Sequence, residues 1–194
     1  MATFKIDDIR ARVARAESVR TFRKSAATVL NESVAAQSTA RTHDIFLSHS
    51  FRDAELILGV KLRLEDYGYS VYVDWVDDPH LDRSKITRQT ALALRERMDC
   101  CKCLFYSTTP SSTESKWMPW ECGYMDGKLR KSAILPLTHS ALSSYDGQEY
   151  LNVYPYVTES KNANGQSCLW VNESLNVYCS LDEWLSGSRP TSHK

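Results

Sequence analysis

From residue 44 onward, short apolar or β-branched runs alternate with segments of helical periodicity. Residues 44–48 (DIFLS), 70–75 (SVYVDW), 102–107 (KCLFYS) and 133–137 (AILPL) are too short for buried helices, and each is bounded by polar or turn-forming residues. Between them, residues 54–67, 87–98 and 117–128 repeat apolar side chains at steps of three and four. Strand-helix alternation of this kind builds a parallel sheet from right-handed crossovers. Near-continuous apolar runs are what strands buried on both faces require. The expected fold is therefore α/β: a flavodoxin-like sheet of about five parallel strands with helices on both faces.

Two flanking regions extend this core. Residues 7–37 contain no Pro or Gly, and Ile9, Val13, Ala16, Val19, Phe22, Ala26 and Val29 recur at helical spacing, which predicts an amphipathic helix with an arginine-rich polar face. Such a stripe is expected to dock on its own domain or on a second copy. The organisation read from the sequence is a helix and linker over 1–42, the main domain over 43–187, and a fraying tail over 188–194. Within the main domain, residues 168–179 are expected to form a β-hairpin extension and residues 181–185 a short helix.

Charge and cysteine content exclude several function classes. Formal net charge is zero, so nothing in the whole-chain balance favours nucleic acid. Residues 1–43 carry eight Lys or Arg against four acids, which leaves the remainder acidic by the same margin. No stretch approaches the roughly 18 to 20 apolar residues of a membrane helix, and the first residues lack a secretory apolar core. The expectation is a cytoplasmic protein without membrane or nucleic-acid partners. The six cysteines form no CxxC pair, and "CCKC" at 100–103 reads as small side chains around a buried strand, not as a metal site.

In an open α/β sheet the ligand crevice lies beyond the carboxyl ends of the strands. Three segments converge there: 48–53 (SHSFRD), 74–83 (DWVDDPHLDR) and 107–121 (STTPSSTESKWMPWE). None is a phosphate loop, since GxGxxG and GxxxxGKS are absent and the chain has only seven glycines. Arg52 and Arg83 are candidate pyrophosphate donors. Glu121 follows Trp117 by four residues, one turn along the same helical face. A carboxylate beside an indole can grip sugar hydroxyls or stabilise positive charge at an anomeric carbon, while the indole stacks on a planar cation. The plainer alternative makes Trp117 a core residue and Glu121 a solvated first-turn acid. A Ser-His-acid hydrolase would need a GxSxG elbow, which is missing.

The runs "HDIFLSHSFRDAE", "GYSVYVDW", a loop with Asp77, Pro79 and Asp82, "LFYST" and "SKWMPWECGYMDGK" occur in an order and spacing that resembles a Toll/interleukin-1 receptor (TIR) domain of the bacterial stand-alone type. The resemblance covers about 44–137, continues loosely toward the tail, and leaves the first 40 residues unmatched. It implies an antiphage-defence enzyme that cleaves NAD between nicotinamide and ribose, with NAD as substrate and no resident cofactor or metal. It places the catalytic glutamate at Glu121. It also implies substrate contacts from Ser48, His49, Ser50 and Phe51 in the first loop, from Trp75 and Asp77 in the second, and from Trp117. Self-association through the domain, and an effector sensing the product, follow from the same resemblance. Hydrolysis and cyclisation remain alternatives at this level, as does a noncatalytic scaffold. A phosphoacceptor domain would need an aspartate where Ser107 and Thr108 stand.

Overall fold

Strand β2 (His43–Ser48) lies between β3 (Val71–Tyr72) and β4 (Cys101–Thr108), and β5 (Ser132–Thr138) and β6 (Tyr156–Lys161) follow in the order β3-β2-β4-β5-β6, all parallel. Counted from β2, this is the 2-1-3-4-5 order of the flavodoxin-like fold. Antiparallel β7 (Ser167–Ser174), β8 (Val177–Ser180) and β9 (Thr191–Ser192) continue the sheet beyond β6. The computed structural model describes residues 1–21, 42–77, 87–109, 112–145 and 149–193.

The pleat sorts each strand between two cores. Ile45, Leu47, Cys103, Phe105, Ala133 and Leu135 face one side, against α1 (Ile6–Thr21) and α2 (Ala54–Asp66). Phe46, Leu104, Tyr106 and Ile134 face the other, against α4 (Arg88–Asp99) and α5 (Trp117–Leu129). Cys101 and Cys103 are buried, as small strand side chains would be, and all six cysteines are free thiols. Thr87 caps α4, its hydroxyl accepting the Thr90 N–H at 3.1 Å.

The first residues are part of this core. Strand β1 (Phe4–Lys5) pairs parallel with the far end of β5, Phe4 opposite Leu137, and Ala2 bridges to Glu159 of β6. β5 pairs with β6 only at Ile134, and the change of partner falls around Pro136, which has no N–H for a neighbouring strand. Helix α1 then lies on α2, with Ile6, Ile9 and Val13 buried and Arg12 donating twice to Asp66, at 2.7 and 2.9 Å. The remainder of the amphipathic helix expected to residue 37 lies outside the described residues.

Close approach of these helices depends on Gly59. A Cβ there would lie 2.6 Å from Ile9 Cγ2 and 2.8 Å from both Ile9 O and Val13 Cγ2. Backbone oxygen cannot swing aside, so Gly59→Ala must push α1 away. Overpacking of this kind costs about 1–3 kcal/mol, against at most about 1 kcal/mol gained in helix propensity. We therefore expect net destabilisation of Gly59→Ala, read as a lower denaturant midpoint; an unchanged or higher midpoint would contradict the packing described.

Two expectations are corrected. The second strand ends at Tyr72 instead of reaching Trp75, because residues 74–77 close into a helical turn, α3 (Asp74–Asp77). The Val73 carbonyl accepts the N–H groups of Val76 and Asp77, and Asp77 Oδ2 accepts the Val73 N–H at 2.6 Å. The tail expected to fray instead carries β9 on β8, and His193 stacks on Tyr178 with ring centroids 4.0 Å apart. The expected hairpin is β7–β8, and the expected short helix is α6 (Leu181–Leu185), closed by a Ser180–Glu183 capping box.

Candidate active site

Ser48 is the last residue of β2. Alternation along the strand puts its side chain on the same face as Phe46, toward α5, and in the sheet it stands opposite Tyr106 of β4. Helix α5 begins at Trp117, so Glu121 faces the sheet one turn in. The two meet: Ser48 Oγ donates to Glu121 Oε2 at 2.6 Å, and both residues are 0% exposed. Glu121 is thus not the solvated first-turn acid of the plainer reading.

Trp117 combines both alternatives. It is 8% exposed, packs within the core of this face and meets Trp120 edge-on at 5.5 Å, while its place one turn before Glu121 keeps it beside the carboxylate. A carboxylate without solvent access is costly to keep ionised. The Ser48 hydroxyl supplies a short, charge-assisted hydrogen bond that favours the anion. What the arrangement can do chemically is hold negative charge, in a dry place, for a cation that arrives there.

The first two loops are tied to each other. His49 Nδ1 donates to the Leu47 carbonyl at 2.8 Å, and Nε2 lies 3.3 Å from Asp74 Oδ1, with His49 2% and Asp74 4% exposed. Nδ1 is thus engaged inside the protein, and the ring stands beside Asp74 where α3 begins. Ser50 is buried and precedes the short turn Phe51–Asp53, whose Asp53 N–H bonds to the Ser50 carbonyl. Asp77 spends one carboxylate oxygen on the α3 turn. Arg52 pairs with Glu114 on the surface. Thr109 donates to Asp53 at 2.5 Å, which holds the loop after β4 against the loop after β2. The side chains of Phe51 and Trp75, and all of Arg83, lie outside the described residues.

The structure thus brings Ser48 and Glu121 together, sets Trp117 one helical turn before the carboxylate, and places His49, Ser50 and Asp77 in the neighbouring loops. It adds two residues that the sequence reading passed over. Asp74 places Oδ1 3.3 Å from His49 Nε2. Tyr106 is 3% exposed, and burial above all, with the nearby charge of Glu121 adding to it, pushes its hydroxyl well above the ordinary phenol range. It stays a neutral hydrogen-bonding group. The available signal was the pleat: Tyr106 lies two residues beyond Leu104 on the face that Ser48 shares. The end of β4 carries Ser107, a buried hydroxyl, where a phosphoacceptor would carry a carboxylate. Among the described residues no group of three or more His, Cys, Asp or Glu is arranged to hold a metal ion, and no helix is long and apolar enough to cross a membrane.

No family model matches the chain. A protein of Bacillus cereus (strain MSX-D12) described as probable 3' cyclic ADP-D-ribose synthase ThsB' is 47% identical over 164 residues, which cover 84% of this chain and 85% of that one. A protein of Cytobacillus dafuensis described as putative cyclic ADP-D-ribose synthase TIR2 is 29% identical over 85 residues, 43% of this chain and 22% of its own length. The first similarity runs through nearly the whole of both chains, and with the parallel sheet and the Ser48–Glu121 pair at its carboxyl edge, it shows that the chain belongs to the TIR family, in its ThsB' group.

Proposed function

We propose that this chain cleaves the nicotinamide–ribose bond of NAD and closes the remaining ADP-ribose on itself, releasing nicotinamide and a cyclic ADP-ribose that serves as a signal in antiphage defence. The observation that carries the reading is the fully buried Glu121 carboxylate held by Ser48 at 2.6 Å. The nicotinamide of NAD is a pyridinium cation, so it departs as a neutral molecule and needs no general acid. The ribose left behind takes on oxocarbenium character. An anion already in place stabilises that charge without reorganising at the moment of reaction.

The cation is captured when an oxygen nucleophile bonds to the anomeric carbon and gives up its proton. Water as nucleophile yields ADP-ribose; a hydroxyl of the same molecule yields a ring. The names of both relatives support the ring, and the locant 3' in one of them points to a ribose hydroxyl. Burial supports it too, since a site that excludes water favours the nucleophile tethered within the substrate. Glu121 is placed to accept the hydroxyl proton once nicotinamide has gone. A scaffold acting only by assembly would have no use for a carboxylate kept out of water.

In this reading NAD is a substrate met in the cytoplasm, the domains self-associate, and a separate effector senses the product. Assembly is the testable part of that set. Nicotinamide release per mole of protein is expected to rise with protein concentration, in step with the mass measured by light scattering. A monomer whose specific activity is independent of concentration would reject self-association, and no release of nicotinamide at any concentration would reject the function.

A further inference from the structure

Ser48 and Glu121 come from elements far apart in the chain, β2 and α5, and a bond of 2.6 Å between them needs those elements held at a fixed separation. A second run of hydrogen bonds joins the same two elements through the loops that follow β2 and β4. The Asp53 N–H bonds to the carbonyl of Ser50, two residues past Ser48, at 3.1 Å. The Asp53 carboxylate accepts the Thr109 hydroxyl at 2.5 Å. The Thr109 carbonyl accepts both the Ser112 N–H, at 3.0 Å, and the Ser112 hydroxyl, at 2.8 Å. The Ser112 carbonyl accepts the Ser115 N–H at 3.2 Å, and the Ser115 hydroxyl accepts the N–H of Met118, in the first turn of α5, at 3.3 Å.

Asp53 is diverted to this junction. It stands immediately before α2, where an Asp side chain ordinarily accepts a helix N–H, yet it makes no such cap bond. It accepts from Thr109 instead, and a hydroxyl donating to a carboxylate makes a short, strong bond. Thr109 is 7% and Ser112 5% exposed, so water has little access to compete for these bonds. Arg52 and Glu114 pair across the same two loops, but in the open, where such a pair holds weakly. The buried link at Thr109 is the one able to fix a distance.

We propose that Thr109, acting through Asp53, is a positioning residue of the catalytic site: it sets α5 against the end of β2 so that Glu121 keeps its bond to Ser48. The inference rests on reading Glu121 as the carboxylate that cleaves NAD. Thr109 needs no contact with substrate in this role. A small shift of α5 would break the Ser48–Glu121 bond and move the anion from where positive charge develops on the ribose, which lowers turnover more than binding.

The test compares Thr109→Val with Thr109→Ser in the full chain, and combines Thr109→Val with Ser48→Ala. Val is close to Thr in shape but cannot donate. In Thr109→Val, kcat for nicotinamide release is expected to fall about tenfold with KM nearly unchanged, within the roughly hundredfold that a misplacement of about 1 Å can cost. Thr109→Ser keeps the hydroxyl and should regain most of the parental kcat. Because both residues act through Glu121, the double variant should be no slower than Ser48→Ala alone, whereas independent effects would multiply. Parental kcat in Thr109→Val, a change confined to KM, no rescue by Ser, or losses that multiply would overturn the proposal. Asp53→Ala breaks the same bond from the other side and takes the place of Thr109→Val should that variant not fold; failure of both to fold would make the junction an element of the fold alone and overturn the proposal too. Should the parent chain leave NAD intact, the functional reading falls, while unchanged hydrogen exchange in peptides spanning residues 117–122 of Thr109→Val separately overturns the positioning role.

Discussion

Glu121→Gln is expected to reduce NAD cleavage by a factor on the order of 10² to 10³, the usual cost of removing one preorganised electrostatic group from a transition state. The amide matches the carboxylate in shape and can still accept from Ser48 Oγ, but it brings no charge to the oxocarbenium ion. Because the change also removes a charge from a site with no solvent access, folding should not suffer. The thermal midpoint is expected to hold or rise. This combination separates catalysis from structure: a variant both inactive and unfolded would say that Glu121 holds the domain together, and parental turnover would say that the carboxylate is not the catalytic group.

Phe4→Ala is expected to cost about 3–5 kcal/mol of stability, the range for deleting a fully buried aromatic side chain. A domain of ordinary stability, about 5–15 kcal/mol, gives up a large share of it in this way. Phe4 is 0% exposed, lies opposite Leu137 in the sheet and shares the core that also takes in Ile6, Ile9, Phe105 and Leu135. Val153→Ala, at a site 75% exposed, is the control and should stay within about 0.5 kcal/mol of the parent. Equal denaturant midpoints for the two variants would make the N-terminal residues a detachable arm. The same packing bears on design of truncations: removing residues 1–40 would take β1 and α1 out of the core, so its effects would report on folding before they reported on assembly.

The parts of this fold that were legible in the sequence are those whose burial pattern is local. Residues 44–48, 102–107 and 133–137 run apolar because β2, β4 and β5 are covered on both faces, and the helices between them show one apolar side each. The hairpin of β7 and β8 was marked by its polar turn. What depended on distant partners was not legible. Two residues at 4–5 make a strand only because β5 loses β6 after Ile134 and offers its edge. Residues 191–192, in a tail of mostly polar residues, are held by Tyr178 and the edge of β8. The α3 turn overrode a β-branched and aromatic run because Asp77 reaches back to the Val73 N–H.

The site divides along the same line. The spacing of Trp117 and Glu121 was readable as one helical turn, and the resemblance assigned the carboxylate its role. The depth of Glu121, its bond to Ser48 and the nearness of Tyr106 arise from β2 and β4 standing in register beside α5. His49 was singled out as a substrate contact, but no sequence pattern told that its Nδ1 would bond to the Leu47 carbonyl and its ring would stand beside Asp74.

The central claim is that a single buried carboxylate lets this chain turn NAD into a ring. The most direct measurement incubates the full chain with NAD at high protein concentration and resolves the products by mass and by the position of the new glycosidic bond. The expected result is nicotinamide in equal amount to a product lighter than ADP-ribose by one water, joined through a ribose hydroxyl, and the loss of both in Glu121→Gln. NAD left intact, or ADP-ribose as the sole nucleotide product, would contradict it.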